Sequence, residues 1–191
     1  MRIDFDEVAH AYALDGEPVP SVTQALRLLE DFEAIPPATL ERARRRGQYV
    51  HEAVALLVRE ALDWESLDSE LVPYLVGAQR FLAETDLTVI ASEVRVASRK
   101  LRVAGTADLL SHWRKSEALF DFKATAAVPR SVGPQLAAYD ALYRETFGGR
   151  ARRRYCVQLK PNDYRVVPLT DPADMSIFVS CLNVWRYKHA S

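Results

Sequence analysis

Short alternating apolar runs at the two ends of the chain and longer runs at helical spacing between them mark out its elements. Arg2 to Phe5 and Ala11 to Leu14, the second followed by the turn signal Asp15-Gly16, predict a small N-terminal hairpin. Ser21 and Gln24 have the spacing of a capping box, with Ala25, Leu26, Leu28 and Leu29 behind them, so a helix is expected to start there. It should stop before Ile35-Pro36-Pro37, and Ser21 is read simply as its cap. From Ala38 to Leu62, Gly47, Val50, Val54, Leu57, Val58 and Ala61 form one apolar stripe, and His51 falls inside its edge. Gly47, one turn before His51, is expected to allow another backbone or a substrate strand to approach closely. Asp63 to Asp68 is a polar break, and Glu70 to Thr85 reads as a third helix with Leu75, Val76, Ala78, Phe81 and Leu82 on its core face. Pro73 is tolerable only near its start.

The spacing then changes to two. Thr88 to Ala97 is a strand interrupted by Glu93, Ser98-Arg99-Lys100 is a short turn, and Leu101 to Leu110 is a second strand. His112 to Glu117 is polar and supplies a turn into a third strand ending at Asp121-Phe122-Lys123. After a loop from Ala124 to Gly133, a helix is expected with Pro134 at its first position and Gln135 and Tyr139 one turn apart on one face. Gly148 to Arg154 is a basic loop. Tyr155, Val157 and Leu159 form a strand that turns at Lys160 to Asp163 and returns through Tyr164 to Val167. Asp171-Pro172 caps a last helix bearing Met175, Phe178, Val179, Leu182 and Trp185. The class is α/β, in the order α-β-β-β-α-β with flanking helices.

Composition narrows this. With 191 residues and 49% hydrophobic content, a single domain over 1–191 is expected, with residues 1 to about 37 as a hairpin and helix extension. The net charge of -1 leaves any nucleic-acid contact to local patches. Arg42, Arg44, Arg45 and Arg46 make one such patch, either a solvated helix start or a phosphate contact. Cys156 and Cys181 match no metal-ligand spacing and read as reduced core residues. A charged N-terminus and the lack of a long apolar run predict a soluble, cytoplasmic protein with no membrane partner.

The chemistry gathers between Val103 and Lys123. An antiparallel register that sets Asp108 opposite Asp121 puts both carboxylates on one face, and the period of two returns Lys123 to it. Two such carboxylates repel unless a cation lies between them. A hard divalent ion suits them, and Lys123 is able to orient one of its waters or steady a phosphate. The bland alternative is a hairpin end with solvated charges. His51 likewise is either a hydrogen-bonded core histidine or a ligand, and Glu93 is either an edge residue paired with Arg95 or a third acid.

An acid, then acid-x-lysine on adjacent strands, resembles the PD-(D/E)XK nuclease superfamily. Arg46-Gly47-x-x-x-His51 upstream and Gln135-x-x-x-Tyr139 downstream make it similar to the RecB-like exonuclease branch, in family order over residues 46 to 139. His10-Ala11-Tyr12-x-Leu14 and Pro18 to Thr23 resemble stand-alone phage or prophage members. The resemblance implies a restriction-endonuclease-like core with a central mixed sheet flanked by helices. It implies Mg²⁺ or Mn²⁺ held by Asp108, Asp121 and the Phe122 backbone carbonyl, with His51 completing or bordering the shell. Glu93 becomes a third acid, Lys123 orients the water, and Gln135, Tyr139, Arg46 and Thr106 contact the substrate. The expected activity is DNA hydrolysis, by an exonuclease leaving 5′-phosphates, in recombination, repair or phage DNA processing in a bacterial or phage-infected cell. The resemblance makes a recombination or replication protein the expected partner, and two cysteines in place of four mean that no iron–sulfur cluster is expected. Two rivals stand beside it: a catalytically inactive nucleic-acid-binding or assembly module, and a metal-free acid/base hydrolase. Lys123 opposes the second, because it is expected to lower both carboxylate pKa values.

Overall fold

Two sheets order the chain, a small one at the N-terminus and a five-stranded one at the centre. The computed structural model describes residues 1–30, 36–150 and 152–190. The small sheet is β1 (Ile3–Asp6), β2 (Ala11–Leu14) and β3 (Glu17–Val19), all antiparallel. It is a three-stranded meander where a hairpin was expected, because Asp15 and Gly16, both at positive φ, turn the chain into a further short strand. The Ser21–Gln24 capping box is present and starts α1 (Val22–Leu26), which tightens at once into a 3-10 turn over Arg27–Leu29. The expected stop before Ile35 lies outside the described residues, but the helical part has ended by Leu29.

Then come α2 (Pro37–Val58), α3 (Val72–Glu84), β4 (Thr88–Ser98), β5 (Val103–Trp113), β6 (Ser116–Lys123), α4 (Val132–Phe147), β7 (Arg153–Lys160), β8 (Asp163–Pro168) and α5 (Asp174–His189). The turn between β5 and β6 is shorter than expected. Trp113 pairs with Ser116, so only Arg114 and Lys115 turn the chain, both at positive φ, as a two-residue hairpin that suits the strand twist requires. Pro134 is the third residue of α4, where it still sits among N–H positions that lack an intrahelical partner. Asp171 does not cap α5: its carboxylate accepts from the Ala173 N–H at 2.8 Å, within the turn before the helix.

The central sheet has the order β4-β5-β6-β7-β8, antiparallel except for the parallel pair β6–β7. The crossover α4 between β6 and β7 is what a parallel pair demands. One face is covered by α1, α4 and α5, whose Leu26, Leu136, Leu142, Phe178 and Leu182 pack on Leu119 and Cys156. The other is covered by α2 and α3, whose Val54, Leu75 and Phe81 pack on Leu109, Phe120, Phe122 and Val157. The fold is therefore mixed α/β, a central mixed sheet flanked by helices. Both cysteines are unpaired and buried. Among the described residues no helix is long and apolar enough to cross a membrane.

The small sheet docks on the start of β5, where Leu14 and Val19 pack on Ala97 and Ala104 and the Ala104 N–H donates to the Pro20 carbonyl at 3.1 Å. At the far edge α3 lies against the β7–β8 turn: Asn162 donates its N–H to the Pro73 carbonyl at 2.8 Å, and Arg80 Nη1 donates to the Asn162 carbonyl at 2.9 Å. Gly77 makes that approach possible, since a Cβ there would overlap the Asp163 carbonyl oxygen and stand 3.1 Å from that of Lys160. Backbone cannot give way as a flexible side chain does, so Gly77→Ala is expected to destabilise the protein by about 1–3 kcal/mol in urea unfolding. An unchanged midpoint would contradict this close docking.

Candidate functional site

The central feature is a fork between β5 and β6. Leu109 pairs with Phe120, the register that sets Asp108 level with Asp121, and the ladder stops there. β6 continues alongside β7 through Lys123, so Asp121 and Phe122 have a strand on one side only. The Asp108 carboxylate fills part of the gap, its Oδ2 accepting the Phe122 N–H at 2.9 Å. On the other side of β5, Ser92 pairs with Leu109 and Val94 with Ala107, but the intervening pair, Glu93 with Asp108, is missing from the ladder. Glu93 has φ +52°, so the alternation expected to align it with Val89, Ala91 and Arg95 is broken there. β5 changes faces at the same point: Val103 and Ala107 pack toward α4, whereas Leu109 and Trp113 pack toward α2 and α3. A non-glycine residue held in this conformation inside a strand is the kind of outlier that clusters at functional sites.

Helices bring in the rest. His51 of α2 places Nδ1 3.1 Å from Asp108 Oδ2, its side chain 30% exposed, so it is neither sealed in the core nor free in solvent. Lys123 Nζ lies 2.7 Å from Asp121 Oδ2. From α4, Gln135 Nε2 donates to Asp121 Oδ1 at 2.8 Å and sits 3.5 Å from the Tyr139 hydroxyl. Asp121 Oδ2 is buried, and its partner is the Lys123 ammonium. The Gln135 amide is thus committed to orienting Asp121.

The charges are strongly coupled. Burial pushes Asp108 up, but His51, Lys123 and the Phe122 N–H outweigh it and hold the carboxyl below its usual value. Asp121 goes the other way: burial wins over Lys123, and Asp108 adds to the rise. Lys123 pulls both carboxyls down as expected, but at Asp121 desolvation exceeds that pull and the net shift is upward. Lys123 and His51 are both opposed by burial and still raised, by Asp121 and Asp108 respectively. Glu93 is pushed up to about 7 by burial and then by Asp108.

Other expectations fare differently. Arg46 is about 140° round the helix from His51, and its guanidinium lies 5.5 Å from the Tyr74 ring on α3, so closeness in sequence did not bring it to the acids. Of its neighbours, Arg42 pairs with Glu70. In the second basic run Arg152 is held by Glu117 at 2.7 Å and over the Tyr143 ring and Arg154 by Asp174 at 2.9 Å, while Arg150 and Arg153 are exposed. Among the described residues nothing would lie within 4 Å of a Cβ on Gly47, so no backbone of these residues approaches there and the space is open. Gly105 is the close approach instead: its Cβ would lie 2.6 Å from Tyr139 Cε1. A glycine inside an apolar strand is the signal for such an approach, and Gly105 carries it in the same motif as Asp108. Thr106 bonds the Tyr12 hydroxyl at 2.8 Å, which makes Tyr12 a neighbour of the site that hairpin periodicity alone did not reveal.

A hard cation is the ligand that this donor set suits. Carboxylates dominate it, Asp108 and Glu93 repel each other, and Asp121 is fully buried. Among the described residues, however, no three His, Cys, Asp or Glu side chains are grouped as a preformed centre. The carboxylates are turned to internal cations, Asp108 to His51 and Asp121 to Lys123. No protein-family model and no curated protein matches the chain. Among solved structures 22 chains are similar. One is the crystal structure of SSO0001, at a TM-score of 0.43 and 14% identity, with 90% of this chain and 76% of that one covered.

The Glu93 shift has a definite sign. A carboxyl whose folded pKa stands above its unfolded 4.5 contributes fully below 4.5 and loses that contribution as pH rises through about 7. In EDTA, Glu93→Gln is therefore expected to raise the melting temperature over the parent at pH 8 and to leave it no higher at pH 5. The same change at both pH values would mean that Glu93 is not held against Asp108.

Proposed function

We propose that this chain is a metal-dependent nuclease of the PD-(D/E)XK superfamily, RecB-like exonuclease branch, that hydrolyses DNA phosphodiesters and leaves 5′-phosphates. What carries the reading is the meeting of Asp108, Asp121, Lys123 and His51 at the β5–β6 fork, with the Asp121 carboxylate fully buried. The succession of helix, three antiparallel strands, crossover helix and parallel strand supports a restriction-endonuclease-like core.

Asp108, Asp121 and the Phe122 carbonyl would hold Mg²⁺ or Mn²⁺, with His51 and Glu93 at its border. When bound, such an ion supplies an activated water and positive charge beside the phosphoryl oxygens. Lys123 and His51 now occupy the carboxylate oxygens that such an ion would take, and a lysine released from Asp121 would be free to serve the substrate. Lys123 then orients the attacking water in line with the leaving O3′ and lays its own charge beside the phosphate. The water oxygen bonds to phosphorus as its proton passes to bulk water, the P–O3′ bond breaks, O3′ takes a proton from solvent to leave as the 3′-hydroxyl, and the phosphate stays on the 5′ side. Gln135 keeps Asp121 in place through its amide, and the Tyr139 hydroxyl borders the strand's path. The recruiting partner, a recombination or replication protein, and a cytoplasmic setting belong to the same proposal.

The internal pairing of the acids favours one rival, a catalytically silent nucleic-acid-binding module on the same fold. End-labelled linear and circular DNA, incubated with Mg²⁺, Mn²⁺ or EDTA, separates the readings. Cleavage is expected only with metal, and Asp121→Ala and Lys123→Ala are each expected to lower it by at least about 100-fold with an unchanged far-UV circular dichroism spectrum. Cleavage retained by Asp121→Ala would refute the ligand role, survival in EDTA would point to acid/base hydrolysis, and binding without cleavage would identify the silent module.

A further inference from the structure

The N-terminal sheet brings to the edge of the site a second set of groups that the proposed reaction does not use. Tyr12 of β2 meets Thr106 through their hydroxyls at 2.8 Å. Thr106 is two residues, about 7 Å, along β5 from Asp108 and is paired across the ladder with Arg95 of β4. The Arg95 guanidinium lies 5.2 Å over the Phe5 ring, and Phe5 packs on Tyr12 at 4.6 Å and meets His10 edge-on at 5.1 Å. His10 is exposed, Phe5 half-buried, and the Arg95 side chain 46% exposed.

Docking of the sheet explains Tyr12, Leu14 and Val19, which are buried on Ala97 and Ala104, and at the opposite end Asp15 pairs with Arg99 at 2.7 Å. His10 and Arg95 take no part in that core. Arg95 is paired with Glu7 only loosely, at 3.7 Å with the Glu7 side chain 82% exposed, and a contact of that kind yields to a better anion. Of the other acids nearby, Asp4 is engaged by Arg2 and Asp6 by the N–H groups of Val8 and Ala9, while Glu93 lies close enough to feel the Arg95 charge.

From this geometry we infer that Arg95, His10 and Phe5 form a wall holding one nucleotide of a single-stranded polynucleotide, with Arg95 on its phosphate and the rings against its base. The inference rests on the nuclease reading for the place of the scissile phosphate, beside Asp108. A guanidinium is matched to phosphate. Aromatic rings take any base, but only one whose face is not already stacked in a duplex. The wall therefore selects single strands and frayed ends over blunt duplex.

Anisotropy of a labelled dT oligonucleotide in EDTA, where no cleavage is expected, tests it, with a U oligonucleotide and a blunt duplex in parallel. His10→Ala and Arg95→Gln are each expected to weaken dT binding about tenfold, with melting temperatures unchanged. Arg95→Gln also removes about one phosphate from the salt dependence, Glu7→Gln tightens binding, and the duplex binds more weakly than the single strand. Equal binding of the U strand extends the ligand to RNA, and selective binding of dT restricts it to DNA. Parental affinity in both His10→Ala and Arg95→Gln, or no binding of single strands by the parent, overturns the wall. A parent that binds dT through these residues but cuts nothing with either metal refutes the nuclease reading and leaves the wall standing. One that cuts, and whose variants bind and cut at parental levels, refutes the wall alone.

Discussion

Everything in this protein is arranged around opposite charges buried where two strands part. Asp121 is fully buried, Asp108 and Lys123 are nearly so, and each isolated ion would cost several kcal/mol in such a place. The cost is offset by pairing: Asp108 takes His51 and the Phe122 N–H, and Asp121 takes Lys123 and the Gln135 amide. None of the four charged groups is independent of the others. Removing one leaves its partner buried without compensation, which makes the arrangement sensitive to mutation.

The surrounding fold is what holds the fork open. β6 leaves β5 to run parallel with β7, and the crossover that this requires, α4, carries Gln135 and Tyr139 back over the gap. Gly105 lets the Tyr139 ring lie directly on β5. The break at Glu93 adds a carboxylate from the next strand, and α2 supplies His51 because its apolar stripe, Val50, Ala53 and Val54, fixes the rotation of the helix on the sheet. The N-terminal sheet closes one side by setting Tyr12 against Thr106.

Much of this was legible in the chain because it depends on periodicity. The two-residue spacing of Asp121 and Lys123, the hairpin register that levels Asp108 with Asp121, and the one-turn spacing of Gln135 and Tyr139 each follow from backbone geometry alone. His51 was placed by the helical stripe. What was not legible depends on local exceptions to those periods or on distant partners. Arg114 and Lys115 adopt the positive φ of a tight hairpin without glycine or asparagine to announce it, and Glu93 leaves its strand face for the same reason. The arginines misled because a basic run does not state its partners: Arg152 and Arg154 find Glu117 and Asp174, while Arg46 lies against an aromatic ring.

Whether these buried acids exist to take up a divalent ion is best decided by anomalous diffraction from crystals grown with Mn²⁺. A single peak at the β5–β6 fork, within about 2.0–2.3 Å of oxygens from Asp108 and Asp121, with Lys123 turned away from Asp121, is the expected result. An empty fork at saturating Mn²⁺, with Asp121 still on Lys123 and Asp108 still on His51, would show the cluster to be a closed ion-pair network.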